Sequence, residues 1–371
     1  MPVLFYIYGG GFMAGDGSEP RDDGESMAKR GIVVVTLSHR LGIFGFFSHP
    51  ELTAESPQHA SGNYALMDQT AALRWVKSNI ASFGGDPRRV TIAGESAGSF
   101  SVSAQMASPL AKALFAGAIG ESGALFSTTI ATPTRSETER HGTKFGDAIA
   151  AHSLAALRAL SATELLEASG RQGLLRFGPN VDGWFFPDIP SAIFAAAKQA
   201  KVPLLAGWNS EEMGARGILP EAPTPENTRA LLTRLFGDRA TDAMKVFPSG
   251  TGEEAQQSVT DLAGDRFTGY STWKWLDVHR RTSGQPVYRY LYARARPPLT
   301  SAMGSGAATA ARPVQGAAHV VDLGLSHAVG LEIRRARRIQ REDNAALEDR
   351  LWRVRRVGDL TRRGDAKRGR D

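Results

Sequence analysis

The sequence contains no cysteine, and that absence removes disulfides, thiolate zinc sites and cysteine nucleophiles together. No stretch approaches the ~18 uncharged apolar residues of a membrane-spanning helix, so no membrane span is expected. A basic n-region is missing as well: Met1-Pro2 leads straight into an apolar, strand-like segment, and no signal peptide is visible. No internal repeat with a period of roughly 20–50 residues stands out, which excludes solenoids and propellers. Most of the chain also lacks any charge of one sign. The net charge is +6, and all of it falls in residues 332–371, which hold 13 Arg and one Lys against eight acids. The other 331 residues carry 30 basic and 30 acidic side chains. A balanced body argues against a nucleic-acid surface spread over the fold, and no nucleic-acid partner is expected.

What is present is ordinary globular composition over 371 residues, with 42% hydrophobic and 22% charged side chains. Short β-branched runs at 3–8, 32–37, 90–93, 202–206 and 287–292 alternate with helical stretches. Continuous apolar runs without polar alternation suit strands buried on both faces, as in a parallel sheet. Residues 66–80 place Leu66, Ala71, Leu73, Val76 and Ile80 at helical spacing. Alternation of this kind implies an α/β fold with a doubly wound, mostly parallel sheet. Residues 131–180 and 210–265 read as helical insertions, and 293–316, rich in Ala, Gly, Pro and Ser, as a loop.

Chemistry enters at Gly94-Glu95-Ser96-Ala97-Gly98, which follows the strand at 90–93 and precedes the helix-like 99–106. This is the context of a nucleophile elbow, a sharp strand-to-helix turn that holds a serine hydroxyl at the carboxyl edge of a sheet. Small residues flank the serine because the turn crowds its neighbours. A second motif, Gly9-Gly10-Gly11-Phe12, also directly follows a strand. Consecutive glycines let main-chain N–H groups approach an oxyanion, each such donor being worth ~2.7–4 kcal/mol to an acyl transfer. A phosphate-binding or merely flexible turn is the alternative for the glycines taken alone.

With these motifs the sequence resembles the type-B carboxylesterases, a family that includes the cholinesterases. The resemblance continues through Arg40-Leu41-Gly42-Ile43-Phe44-Gly45-Phe46, Gly62-Asn63-Tyr64-Ala65-Leu66-Met67-Asp68-Gln69, Ala71-Ala72-Leu73-Arg74-Trp75-Val76 and Phe83-Gly84-Gly85-Asp86-Pro87. It is dense over 2–130 and looser over 181–215 and 265–322. It implies an α/β-hydrolase fold over 1–323, a Ser-His-Glu triad, a small-molecule ester substrate, and neither cofactor nor metal. Ser96 is then the nucleophile, activated by a histidine that an acid orients. In this fold the chain order is serine, acid, histidine. By register with the family the acid is Glu212 in Gly207-Trp208-Asn209-Ser210-Glu211-Glu212, with Glu211 its competitor, although Met213 stands where the family often has glycine. Of the histidines after Glu212, His319 follows a small-residue stretch and precedes Asp322 by three positions, as in the family. His327 is the runner-up, and His279, in the helix-like 273–279, suits a solvated or helix-capping role.

Gly10, Gly11 and the Ala97 amide would form the oxyanion hole by the same resemblance. Ser122, in Gly120-Glu121-Ser122-Gly123 after another strand, matches a family serine that supports the acid, and a strand-end cap is the alternative. Trp184, Phe185, Phe186, Phe267, Trp273 and Trp275 would supply acyl or leaving-group walls, although aromatics of this kind are more often plain core.

The sequence departs from the family in two places. Members carry a substantial segment, including the first sheet strands, before the strand that precedes the glycine motif. Here that strand begins at Val3, so a truncated start is expected, with the strand at 32–37 left as a sheet edge. After about Leu323 the family's aromatic run and closing helix give way to the arginine-rich tail, 324–371, frame-shifted or disordered. A frame slip in a GC-rich gene fits its Arg, Gly and Ala content. A basic helix with Leu347, Leu351 and Val354 on one face is the second reading. Against the ester hydrolase stand a thioesterase or amidase on the same triad, an inert cholinesterase-like binding module, and an inactive fragment. Oligomeric state and compartment stay open.

Overall fold

The strands are β1 (Val3–Ile7), β2 (Val33–Thr36), β3 (Val90–Glu95), β4 (Gly117–Glu121), β5 (Leu204–Asn209) and β6 (Val287–Tyr292), with β1 and β2 rich in aliphatic and β-branched side chains, β6 in tyrosines, and β4 built largely of small residues. The computed structural model describes residues 1–127, 132–171, 177–294 and 317–319. Residues 295–316 of the expected loop 293–316, Asp322, His327 and the arginine-rich tail 324–371 lie outside the described residues.

The six strands make one sheet in the order β2-β1-β3-β4-β5-β6. Val3 on β1 pairs in parallel with Val33 on one side and Val90 on the other. The hydrogen bonds Ala118 N–H to Pro203 O and Ser122 N–H to Gly207 O advance in the same direction along β4 and β5. The chain leaves β1 for β2 on one side and returns to β3 on the other, so strand order reverses between β1 and β3. In open α/β sheets, sites lie outside the carboxyl ends of the strands at such a reversal. Both glycine-bearing motifs follow those two carboxyl ends. β2 lies at the sheet edge, as expected for residues 32–37, and its four side chains are half-buried.

The chain divides into two compact units. The first comprises Met1–Gly120, Ile130–Leu205 and Asp277–Val287. Phe5, Ile7, Val90 and Ile92 from the sheet, and Leu66, Leu73 and Val76 from the helix Tyr64–Asn79, are fully buried in it. The helix Ala97–Ala107 is buried along its whole length. Its polar members are satisfied within the core: Gln69 Nε2 donates to Ser101 Oγ (3.1 Å), and Thr70 Oγ1 donates to Gln105 Oε1 (2.8 Å). Buried polar groups left unpaired would each cost about 1–3 kcal/mol.

The second unit comprises Glu121–Thr129, Ala206–Leu276 and Tyr288–Asp371. Its apolar centre gathers Leu231, Leu232, Phe236, Phe247, Val259 and Leu262 from the helices Pro225–Phe236 and Gly252–Gly264 and from the end of the helix Ala240–Val246 between them. Both regions read as helical insertions are helical, and three of their helices start with a capping box. Thr134, Ser161 and Thr251 accept from the amides of Glu137, Glu164 and Glu254, whose carboxylates reach back to the cap.

Two expectations need correction. His279 is neither solvated nor a cap: it is fully buried in the helix Tyr270–Thr282, and its Nε2 bonds the Val202 carbonyl (2.9 Å). Burial holds its pKa below the usual histidine value. The strand expected at 202–206 begins two residues later and runs through the fully buried Trp208. Of the aromatics considered as pocket walls, Phe185, Phe186 and Trp275 are fully buried, in keeping with the core alternative, whereas Trp184 is 40% exposed.

Candidate active site

β3 ends at Glu95 and a helix begins at Ala97, so Ser96 alone makes the reversal. It does so at φ 52° and ψ −120°, a conformation that suits glycine and costs a side-chain-bearing residue about 1–3 kcal/mol. The neighbouring glycines make the turn possible. A Cβ on Gly98 would collide with the Ile7 carbonyl oxygen at the end of β1, and one on Gly94 would run into the Gly98 backbone. The helix N-terminus directly after Ser96 carries the positive end of its dipole.

Beside this turn lies the glycine loop. A Cβ on Gly9 would sit 3.4 Å from the Ser96 Cβ and 2.7 Å from Glu95 Oε2, so backbone and serine meet here without a side chain between them. Gly10 (φ 103°) and Gly11 (φ 64°) are exposed and left-handed. The Gly10 carbonyl accepts from the amides of Met13 (3.0 Å) and Ala14 (3.1 Å), which closes the turn. Two further motifs of the resemblance support it. The Gly42 amide donates to the Phe12 carbonyl (2.8 Å), and Arg40 grips Asp68 with two guanidinium bonds of 2.8 and 2.7 Å.

In the second unit, β5 ends at Asn209 and turns through Ser210 and Glu211 to Glu212. Glu212 is 3% exposed, and its oxygens are divided. Oε1 accepts from the Asn209 amide (2.6 Å) and from Ser122 Oγ (2.5 Å); Oε2 faces His319 Nδ1 (2.5 Å). The carboxylate accepts, so Nδ1 carries the proton, a tautomer that leaves Nε2 as the basic nitrogen. Ser122 reaches Glu212 from the turn after β4, fully buried at φ 60°.

Residues 317–319 are fixed to the acid turn by backbone. Glu211 N–H donates to Ala317 O (2.9 Å), Ala317 N–H to Ser210 Oγ (2.9 Å), and Asn209 Nδ2 to Ala318 O (3.0 Å). The Phe267 ring lies against the His319 imidazole, with centroids 5.1 Å apart.

The structure therefore brings Glu212, His319 and Ser122 together, and it places Ser96, Gly10, Gly11 and Ala97 in the first unit. Glu212, not Glu211, is the carboxylate at the histidine. Sequence reasoning passed over Asn209 and Ser210, which lie within the quoted stretch but carry no signal of their own. Among the described residues no helix is long and apolar enough to cross a membrane.

The chain matches the carboxylesterase family over residues 1–354. It is 39% identical to the fumonisin B1 esterase of Sphingopyxis macrogoltabida over 275 residues, covering 71% of this chain and 49% of that protein. Against the para-nitrobenzyl esterase of Bacillus subtilis (strain 168) the identity is 38% over 270 residues, covering 71% and 54%. Carboxylesterase 1C of Mus musculus is 36% identical over 321 residues, covering 81% and 56%. Among solved structures, a PNB esterase superposes with a TM-score of 0.68 at 30% identity, covering 89% of this chain and 65% of that one. The chain thus spans about half the length of the curated relatives it matches. On these matches and its doubly wound parallel sheet, the chain belongs to the carboxylesterase family and has the α/β-hydrolase fold.

Proposed function

We propose that this protein hydrolyses carboxylic esters of small molecules through an acyl-enzyme, with Ser96 as nucleophile, His319 as general base and acid, and Glu212 as the orienting carboxylate. The observation that carries this reading is the bond from His319 Nδ1 to a buried Glu212 whose other oxygen is already held by Ser122 and the Asn209 amide. Such a carboxylate cannot turn away, so it fixes one imidazole tautomer and stabilises the imidazolium when Nε2 takes a proton. The inert-module alternative offers no use for that arrangement.

In this mechanism Nε2 of His319 removes the Ser96 hydroxyl proton as Oγ attacks the ester carbonyl. The oxyanion that forms takes hydrogen bonds from the amides of Gly10, Gly11 and Ala97. His319 then passes its proton to the departing alcohol. Water repeats the sequence on the acyl-serine, releasing the acid and restoring Ser96. Open, left-handed glycine backbone beside the nucleophile suits the oxyanion role, because donors fixed before the reaction need no reorganisation during it.

A short-chain p-nitrophenyl ester tests the assignment. Ser96→Ala is expected to lower kcat by roughly 10⁴–10⁶-fold, as removal of a triad nucleophile does elsewhere. Stoichiometric labelling of Ser96 by an organophosphate, read by peptide mass spectrometry, is expected alongside. Equal rates for the two proteins would remove the serine-esterase reading.

A further inference from the structure

Between the helices Gly252–Gly264 and Tyr270–Thr282 the chain makes one π-helical turn, Asp265–Gly269. π turns are rare, and they recur at functional sites because the extra residue redirects side chains. Here Asp265, Thr268 and Gly269 turn inward and are fully buried, while Phe267 is half-buried. The Phe267 ring meets the His319 imidazole with planes at 65° and centroids 5.1 Å apart, an edge-to-face arrangement.

The bond from Nδ1 to Glu212 fixes one point of the imidazole. A hydrogen bond at one ring nitrogen tolerates tilt, and tilting the ring about that bond sweeps Nε2 through an arc. The backbone bonds at Ala317 and Ala318 fix the start of the side chain, not the plane of its ring. A flat ring packed against the imidazole opposes the tilt.

We propose that Phe267, presented by the π turn, is a positioning residue that sets the plane of the His319 imidazole and hence the direction of Nε2. This inference rests on the reading of His319 as the general base. Its effect falls on the chemical step, because substrate binding does not require Nε2 to be aimed.

Phe267→Ala and Phe267→Tyr test it, with steady-state kinetics on a p-nitrophenyl ester and the downfield proton resonance of the His319 Nδ1–H. In Phe267→Ala, kcat is expected to fall about tenfold to a hundredfold, as misplacement of a catalytic group does. KM is expected to stay within about twofold. The resonance should broaden in Phe267→Ala, and Phe267→Tyr should restore both kcat and the sharp line. A wild-type kcat in Phe267→Ala, or a loss that merely follows the folded fraction seen by calorimetry, overturns the proposal. Inactivity of a folded wild-type protein would instead remove the esterase reading. The resonance then still decides, since an equally sharp line in wild type and Phe267→Ala overturns the positioning role.

Discussion

Glu211 and Glu212 differ by one position, and it is the buried Glu212 whose Oε2 lies 2.5 Å from the His319 Nδ1, while Glu211 is half-buried. The isosteric change Glu212→Gln keeps the volume but offers His319 Nδ1 the wrong partner, and a decrease in kcat of roughly 10³–10⁴-fold is expected. Glu211→Gln should leave kcat near the wild-type value; the two variants assayed side by side decide the point. Ser122→Ala removes a bond to a charged oxygen, worth about 1.5–3 kcal/mol, and should lower kcat about tenfold to a hundredfold with KM unchanged. At this scale the sequence was legible only through register with a family. A bare Glu-Glu pair holds no local signal for which carboxylate is buried, and Asn209 and Ser210 acquire their roles only when residues 317–319 arrive from far along the chain.

The longer elements could be read directly. Runs dominated by β-branched, aliphatic and aromatic side chains point to β1, β2 and β6, and helical spacing points to the helix Tyr64–Asn79. β5 starts at Leu204 although Val202 and Pro203 have strand-like side chains: the Pro203 carbonyl still accepts from Ala118, but the proline has no N–H to donate. The π turn had no sequence signature at all, since its extra residue is accommodated by packing and not by propensity. Glycines give the sharpest test of the element contacts. Gly98→Ala would drive a methyl group into the Ile7 carbonyl at the junction of helix and β1, and a loss of about 1–3 kcal/mol or more is expected in urea titrations. Gly252→Ala, in the first turn of its helix with open space around it, should stabilise by about 0.4–1 kcal/mol.

For the molecule as a whole, the balanced charge of the body was legible from counting, but the buried groups that govern its response to acid were not. His39 is buried and stacked on Tyr8 (4.5 Å), and burial pushes its pKa down to about 4, against a smaller opposing pull from Asp68. The folded state therefore favours the uncharged ring. The stabilisation this confers on the folded state is complete above the unfolded pKa of about 6.5 and drains away as pH falls from there toward 4. The loss is of the order of 3 kcal/mol by pH 4. Thermal midpoints of wild type and His39→Phe, compared between pH 7 and pH 4, check this: the wild-type curve should fall more steeply. The turn at Ser96 has a consequence of the opposite kind. Its left-handed backbone is one that glycine adopts freely, so Ser96→Gly should melt higher than wild type while hydrolysing nothing. A laboratory population selected for heat resistance alone would drift toward glycine at this position, and only selection for turnover would retain the serine.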